Sequence, residues 1–395
     1  MTAHLTGKWN YPTTVFFGPG KIQHLAEACK SLGMTNPLLI TDTGLKDNAI
    51  TKTALNVNEK AGLKTGLFAG VKGNPTGENV EAGLKAYIEG KHDGVIAFGG
   101  GSAVDAAKAV ALMAGQNRPL WDFVDEGDNF LRVKESGMAP VVAVPTTAGT
   151  GSEVGRASVI TNEATHEKKI IFHPKMLPSI VISDPELTTG LPPHITAATG
   201  IDAYVHCFEA FCAPGYHPLA DGIAMEGMRL VAKHLPRAYE NGNDIEARAH
   251  MLAAASMGAA AFQKGLGGVH ALAHPLGAVY DKHHGLLNAI LLPYVMIRNR
   301  EALTEKTAIL ARVLDLPGKG FDAVLAWTLN FRKALGIPAT LTEIGIPEIR
   351  AVDIGAMALA DPSSGGNPIP LTAQDYTDIF CNALNGQLDA QKKAA

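Results

Sequence analysis

Gly94-Val95-Ile96-Ala97-Phe98-Gly99-Gly100-Gly101-Ser102-Ala103-Val104-Asp105 decides the architecture of the first half of this chain. Val95 to Phe98 are apolar without alternation, the pattern of a strand covered on both faces. Three glycines follow, and then an apolar helical run over 103–114. Strand, tight turn and helix in direct succession are half of a βαβ unit. The glycines permit close backbone approach. The helix N-terminus behind them offers unpaired N–H groups and a partial positive charge, which suits a pyrophosphate. The turn departs from the common dinucleotide fingerprint, because its third glycine position is Val104. Ser102 with Asp105 also fits a variant of the capping box, a purely structural role.

The same reading extends outward. Val144-Pro145-Thr146-Thr147-Ala148-Gly149-Thr150-Gly151-Ser152-Glu153 also follows an apolar run. Its hydroxyls and glycines suit a phosphate or ribose, and an ordinary strand-to-helix loop is the competing reading. Runs rich in β-formers at 13–17, 38–42, 64–68, 94–98, 141–144 and 180–183 alternate with amphipathic segments at 21–32, 78–90 and 103–114. Such alternation predicts an α/β layer on a largely parallel sheet. Two polar loops at the same ends of neighbouring parallel strands define a ligand crevice. Asp42 closes the run LLITD, where a carboxylate accepts from a ribose 2′-OH and repels a 2′-phosphate; capping the DTG turn is an equal alternative. Asn74-Pro75-Thr76 reads as a turn before the next helix.

The pattern changes at Gly190-Leu191-Pro192-Pro193, where prolines end one regime and open a helix. Beyond it, segments rich in Ala, Leu and Met at 194–212, 217–239, 244–262, 286–300 and 321–335 predict a helical second half. The expected organisation is an α/β domain over 1–190 and an all-helical domain over 191–395. A chain of 395 residues has ample core for two domains, and 46% hydrophobic with 18% charged residues fits a globular protein. The net charge is −4 with no basic tract, so neither nucleic acid nor a membrane surface is an expected partner. The opening MTAHLTGKWNYPTT has no apolar core, so no secretory signal is expected. No apolar run reaches the roughly 18 residues of a membrane span. Cys29, Cys207, Cys212 and Cys381 are scattered, which fits free thiols in a reducing, cytoplasmic setting rather than a cysteine zinc site. The tail GQLDAQKKAA is expected to fray.

The helical half carries the chemistry. His270, His274, His283 and His284 crowd into GGVHALAHPLGAVYDKHHG, although the whole chain has only 14 histidines. Asp202 and His206, in GIDAYVHCFEA, stand four apart and share a helix face, a spacing that His270 and His274 repeat. A carboxylate with several imidazoles suits one divalent ion such as Fe2+, Zn2+, Co2+ or Mn2+, with no thiolate needed. A lone helical histidine is ordinarily a core or surface residue; the cluster beside an Asp-x3-His pair reverses that weighting. Spacing alone leaves open which of the four clustered histidines bind metal.

With these stretches assembled, the chain resembles the iron-containing (group III) alcohol dehydrogenase family over essentially its full length. The resemblance is carried by GGGSAVDAAKA (99–109), PTTAGTGSEV (145–154), DPELT (184–188), GIDAYVHCFEA (200–210) and HALAHPLGAVYDKHHGLLNAILLPY (270–294). It implies an N-terminal Rossmann-like α/β dinucleotide-binding domain and a C-terminal all-helical metal-binding domain, a dehydroquinate synthase-like arrangement with the site in the cleft between them. It makes Asp202, His206, His270 and His284 the metal ligands, with Fe2+ the expected ion and Zn2+ the alternative. His274 then faces nicotinamide and substrate as the catalytic candidate, and His283 becomes a bystander. The resemblance assigns Gly100, Gly101 and Ser102 to the pyrophosphate of NAD, and Thr146, Thr147 and Thr150 to the phosphates and nicotinamide side. It assigns Asp42 to the ribose, and Asn74, Lys168, Leu187, Gly190 and His284 to other cofactor-lining positions. The implied reaction is reversible hydride transfer between a primary alcohol, or its aldehyde, and NAD(H), by a homodimer or larger homo-oligomer.

Two stretches depart from the family's pattern. FQKGLGGVH (262–270) brings Lys264 and is a residue shorter than in many members; SSGGNPIPLT (363–372) has Ile369 where many members carry Arg. Both border the substrate pocket in the family, so the resemblance defines the reaction class better than the substrate. Dehydroquinate synthase, glycerol-1-phosphate dehydrogenase and maleylacetate reductase share the scaffold and are rival expectations, with a non-catalytic metal- and nucleotide-binding scaffold beyond them. Only Lys264 and Lys282 lie near the motifs as the basic residues that a phosphate substrate would need. Maleylacetate reductase generally lacks the full Asp-His-His-His set that is present here.

Overall fold

The computed structural model describes residues 7–9 and 13–388, so most of the opening stretch and the end of the tail GQLDAQKKAA lie outside the described residues. The chain divides into two compact units, Met1–Gly190 with Asn243–Leu252, and Leu191–Gly242 with Ala253–Ala395.

The first unit contains β1 (Gly7–Trp9), β2 (Thr14–Phe17), α1 (Leu25–Ser31), β3 (Leu38–Asp42), α2 (Ala49–Lys60), β4 (Gly66–Val71), α3 (Gly77–Glu89), β5 (Val95–Gly99), α4 (Gly101–Met113), β6 (Val141–Pro145), β7 (Ala157–Asn162), β8 (Glu167–Phe172) and β9 (Ile180–Ser183). Seven strands make one sheet in the order β1-β2-β9-β6-β5-β3-β4. All neighbours are parallel except β1, which runs antiparallel to β2. Leu39, Ile96, Phe98, Val142, Val144 and Ile182 share one face and pack with Leu25 and Cys29 of α1 and Ala54 of α2. The pleat turns Ile40, Ala97 and Ala143 to the opposite face, where the small residues of α4 allow close packing. β4 lies on one side of β3 and β5 on the other, so strand order reverses there. Asp42 and Gly99 stand at the carboxyl ends that flank this switch point, where open α/β sheets bind ligands.

The sequence reading left out the antiparallel β7–β8 hairpin. Its strands are only half-buried and carry polar residues at half of their positions, so they give neither a long apolar run nor a clean alternation. The segment at 21–32 forms as a 3-10 turn, Lys21–His24, followed by α1, and the strand placed at 64–68 forms at Gly66–Val71.

The remaining helices are α5 (Pro193–Cys212), α6 (Pro218–Glu240), α7 (Ile245–Ala261), α8 (Gly268–Tyr280), α9 (His284–Arg298), α10 (Thr304–Val313), α11 (Gly320–Ala334), α12 (Ala351–Ala360) and α13 (Ala373–Asn385). α5 is buried almost all round, as its near-continuous apolar sequence requires, and begins with Pro193 in its first turn. It packs against α6 and α9, while α8 packs on α9 and α12. Among the described residues no helix is long and apolar enough to cross a membrane. The four cysteines are free thiols, and Cys29, Cys207 and Cys212 are buried.

Candidate active site

Three helices of the second unit converge on one cluster. α5 contributes Asp202 and His206, α8 contributes His270, and α9 begins with His284. One ligand atom from each of these four residues lies within 4.8 Å of all the others. The i, i+4 spacing puts both α5 residues on one face. Gly285 lets α9 reach that face, since a β-carbon there would stand 2.4 Å from the Ala198 carbonyl oxygen and 3.0 Å from Asp202 Cβ. His284 therefore opens a helix. Its neighbour His283 caps that helix, its Nδ1 accepting from the Leu286 amide at 3.3 Å.

The cluster fits a divalent ion. Asp202, His206 and His270 are buried and His284 half-buried. The His206 and His270 rings lie 4.6 Å apart, centre to centre. Burial pushes His206 down to about 4, so its imidazole is neutral near pH 7, as a ligand must be. His206 Nδ1 is buried without a hydrogen-bond partner among the described residues, a lone pair that an ion can satisfy.

Two residues that the sequence reading missed organise these ligands. Glu209 lies on α5, one turn beyond His206, and its carboxylate meets His270 Nδ1 at 2.6 Å. It also accepts from the backbone amides of Gly267 at 3.0 Å and Val269 at 2.7 Å. Gly267 caps α8 without any side chain of its own, so Glu209 supplies the cap from another helix while leaving His270 Nε2 turned to the cluster. Burial alone would lower the His270 pKa; Glu209, with Asp202 and Asp361, outweighs it and raises it. Asn288, one turn along α9 from His284, is the second. Its Nδ2 donates to Asp202 Oδ1 at 2.7 Å and lies 3.1 Å from Nε2 of both His270 and His284. The legible signal was helical spacing, since 206 and 209, like 284 and 288, share a face.

His274 stands apart from the ligand group. Its ring stacks on His284 at 5.3 Å, and its Nδ1 meets Asp361 Oδ2 at 2.8 Å. Burial works against ionisation of Asp361, but His274 and Ser363 hold its carboxyl below the usual range. The same loop anchors α8: Asn367 Oδ1 accepts from the Gly268 amide at 3.1 Å, and Asn367 and Asn299 exchange amide hydrogen bonds. Lys264 is committed elsewhere, paired with Asp221 at 2.5 Å with its side chain buried.

In the first unit the glycine turn and the threonine loop touch. A β-carbon on Gly101 would stand 2.3 Å from Thr150 Oγ1, and one on Gly100 would stand 3.2 Å from Thr147 Cγ2. Gly99 has φ +140°, a conformation that side chains rarely adopt, and its carbonyl accepts from the Thr146 amide at 2.9 Å. The capping-box reading of Ser102 and Asp105 is corrected. Gly100 is the N-cap of α4, with no side-chain cap. Ser102 Oγ donates instead to the Gly73 carbonyl, and Asp105 reaches Ser152 and the Val159 amide. Ser102 thereby ties the turn to the segment of Asn74, and Thr76 caps α3 in a true capping box. The Thr161 amide donates to Pro75 O at 2.8 Å, and Thr161 pairs with Lys168 in the hairpin, so Asn74 and Lys168 lie on adjoining segments. Leu187 belongs to the hydrophobic core and Gly190 is exposed. Asp42 fills its capping role, Oδ1 accepting from Gly44 and Leu45 amides at 2.9 and 3.2 Å, while Oδ2 faces Gly99.

An α/β unit with a glycine-turn crevice, followed by helices that gather one aspartate and three histidines, defines the class, and comparison with known proteins gives the family. The profile of iron-containing alcohol dehydrogenases matches residues 12–185, and that of the family's C-terminal region matches 196–384. The chain belongs to the iron-containing alcohol dehydrogenase family. It is 38% identical over 376 residues to a 4-hydroxybutyrate dehydrogenase of Cupriavidus necator, covering 93% of this chain and 97% of the relative. An NAD-dependent methanol dehydrogenase of Bacillus methanolicus is 34% identical over 380 residues, covering 94% and 98%. The crystal structure of a 1,3-propanediol oxidoreductase superposes with a TM-score of 0.88 at 34% identity, covering 97% of this chain and all of that one. The chain is accordingly an enzyme of alcohol–aldehyde oxidoreduction acting on small molecules.

Proposed function

We propose that this enzyme transfers hydride reversibly between a primary alcohol or its aldehyde and NAD(H), with Fe2+ held by Asp202, His206, His270 and His284. The observation that carries this reading is the convergence of those four donors within 4.8 Å, with Glu209 fixing the tautomer of one of them. Four oxygen and nitrogen donors without a thiolate suit Fe2+, with Zn2+ the alternative. The ion, when bound, supplies Lewis acidity towards the alcohol or carbonyl oxygen. NAD, when bound, supplies the hydride acceptor.

The protein's own residues do the rest. Gly100, Gly101 and Ser102 present the N-terminus of α4 to the pyrophosphate, and Thr146, Thr147 and Thr150 offer hydroxyls beside it. Asp42 receives the ribose, with Asn74, Lys168, Leu187 and Gly190 lining the remainder and His284 reaching the nicotinamide side. Asp361 holds His274 with its proton on Nδ1, which leaves Nε2 to accept the substrate's proton. The enzyme is proposed to be cytoplasmic and homo-oligomeric, as symmetric self-association is the common case. An NADH absorbance assay over C2–C6 alcohols and aldehydes, with Fe2+ present, tests the reading. Turnover of primary alcohols with NAD is expected, and no hydride transfer to any member of the panel would reject it.

Two variants probe named parts. Asp42→Asn keeps a capping side chain but removes the charge that repels a 2′-phosphate. The NAD-over-NADP ratio of kcat/KM is expected to fall by about tenfold, or ~1.4 kcal/mol; an unchanged ratio removes Asp42 from the ribose site. His274→Ala is expected to lower kcat roughly ten- to a hundredfold, at or below the low end for general acid–base catalysis. Asp361→Asn should move kcat the same way and displace the pH–rate profile, while a profile identical to wild type would assign His274 a shape-filling role only.

A further inference from the structure

The candidate site makes no use of one deeply buried charge in the first unit, Lys108. Lys108 lies on α4, two turns beyond the glycine turn, and its side chain has no exposure to solvent. A lysine is almost never fully buried unless paired. Here Nζ is 3.3 Å from Asp105 Oδ1 and donates to Ser152 O at 2.9 Å, to Ala157 O, and to Gly155 O at 3.5 Å. Asp105 stands one turn earlier on the same face and takes the Ser152 hydroxyl and the Val159 amide, the latter at 3.0 Å. Burial pulls the Lys108 pKa down, with Asp105 and Glu153 opposing.

The segment served by these bonds runs from the 3-10 turn Ser152–Val154 to the first residue of β7, Ala157. Its carbonyls at 152, 155 and 157 lie against α4, where buried peptide groups must find partners. An ammonium has three donors in three directions and so can gather these carbonyls at one point, Ser152 O also accepting from the Gly155 amide at 3.1 Å. The segment is also the downstream half of the threonine loop. Ser152 follows Thr150 by two residues, and Thr150 presses on Gly101 so tightly that a β-carbon would meet its hydroxyl at 2.3 Å.

We propose that Lys108, with Asp105, is a positioning residue for the dinucleotide: it locks the threonine loop onto the helix that begins at the glycine turn and so sets the width of the phosphate cradle. This rests on the proposed assignment of Gly101, Ser102 and Thr150 to NAD. Lys108 itself touches neither cofactor nor substrate; it acts through Ser152 and Thr150.

The test titrates NADH by fluorescence into wild type, Lys108→Met and Ser152→Ala, each with its metal content measured. Lys108→Met is expected to raise the NADH Kd and the KM for NAD by about tenfold, with a smaller change in kcat and in the KM for alcohol. Its backbone amides over 150–157 should exchange hydrogen faster than in wild type, while those of α4 keep their protection. Ser152→Ala leaves no charge unpaired and serves if Lys108→Met does not fold; a shift of about threefold in the same direction is expected. An NADH Kd unchanged in both variants overturns the proposal, as does a loss shared equally by metal content, alcohol KM and cofactor KM. Wild type that binds no NADH would instead reject the cofactor reading beneath it.

Discussion

His270→Ala is expected to strip the enzyme of its metal and its turnover while leaving NADH binding intact. The substitution removes a fully buried donor from a group of four whose ligand atoms lie within 4.8 Å. It also leaves the Glu209 carboxylate with only the Gly267 and Val269 amides. A Lewis acid at a developing oxyanion is worth several kcal/mol. About 4 kcal/mol corresponds to roughly a thousandfold in rate, so kcat should fall by at least about that factor. The proposed dinucleotide residues, His284 apart, lie in the first unit and His270 in the second. The NADH Kd should therefore stay within about twofold, well under the 1.4 kcal/mol of a tenfold change. Metal analysis of the purified variant, kcat and a fluorescence titration check the three parts separately. Retained turnover would remove His270 from the metal site.

Glu209 carries the second large effect, because three groups depend on it. Glu209→Leu removes an oriented carboxylate from His270 and leaves two buried amides at the start of α8 without acceptors. Unsatisfied buried donors cost about 1–3 kcal/mol each, so the metal-free variant should lose at least about 3 kcal/mol of stability. Glu209→Gln is the more discriminating change. It keeps the shape and one acceptor oxygen but cannot serve His270 Nδ1 and both amides together. Outer partners of metal-bound histidines are worth about 10–100-fold in affinity. The Fe2+ Kd of Glu209→Gln is expected to rise within that range, measured by competition with a chelator. Affinity equal to wild type would mean that Glu209 caps α8 and does nothing for the ion.

How far the sequence could be read depended on how each residue acts. The parallel sheet was legible because its strands are buried on both faces, so runs such as VIAF and VVAV stand out as unbroken apolar stretches. The β7–β8 hairpin was not, because half-buried strands that mix polar and apolar residues resemble loop. At the candidate site, histidines and an aspartate at helical spacing announced themselves by rarity. Glu209, Asn288 and Asp361 did not, because each acts through a partner 61, 86 or 87 residues distant in sequence. Only packing brings such pairs together. Asp42 carried two alternative readings, of which the structure displays the cap, with Oδ1 accepting from the Gly44 and Leu45 amides, while the ribose role remains part of the proposed function. Ser102 and Asp105 show a local rule giving way to longer-range bonds: the capping-box spacing is present, but both side chains find partners well outside the helix.

Metal removal and return is the most direct test of the proposed mechanism. The purified enzyme would be stripped by a chelator, and Fe2+ added back stepwise while bound metal and NADH-linked alcohol oxidation are followed together. Activity is predicted to vanish in the metal-free protein and to rise in proportion to bound ion, levelling at one per chain. Full turnover by metal-free protein would contradict it.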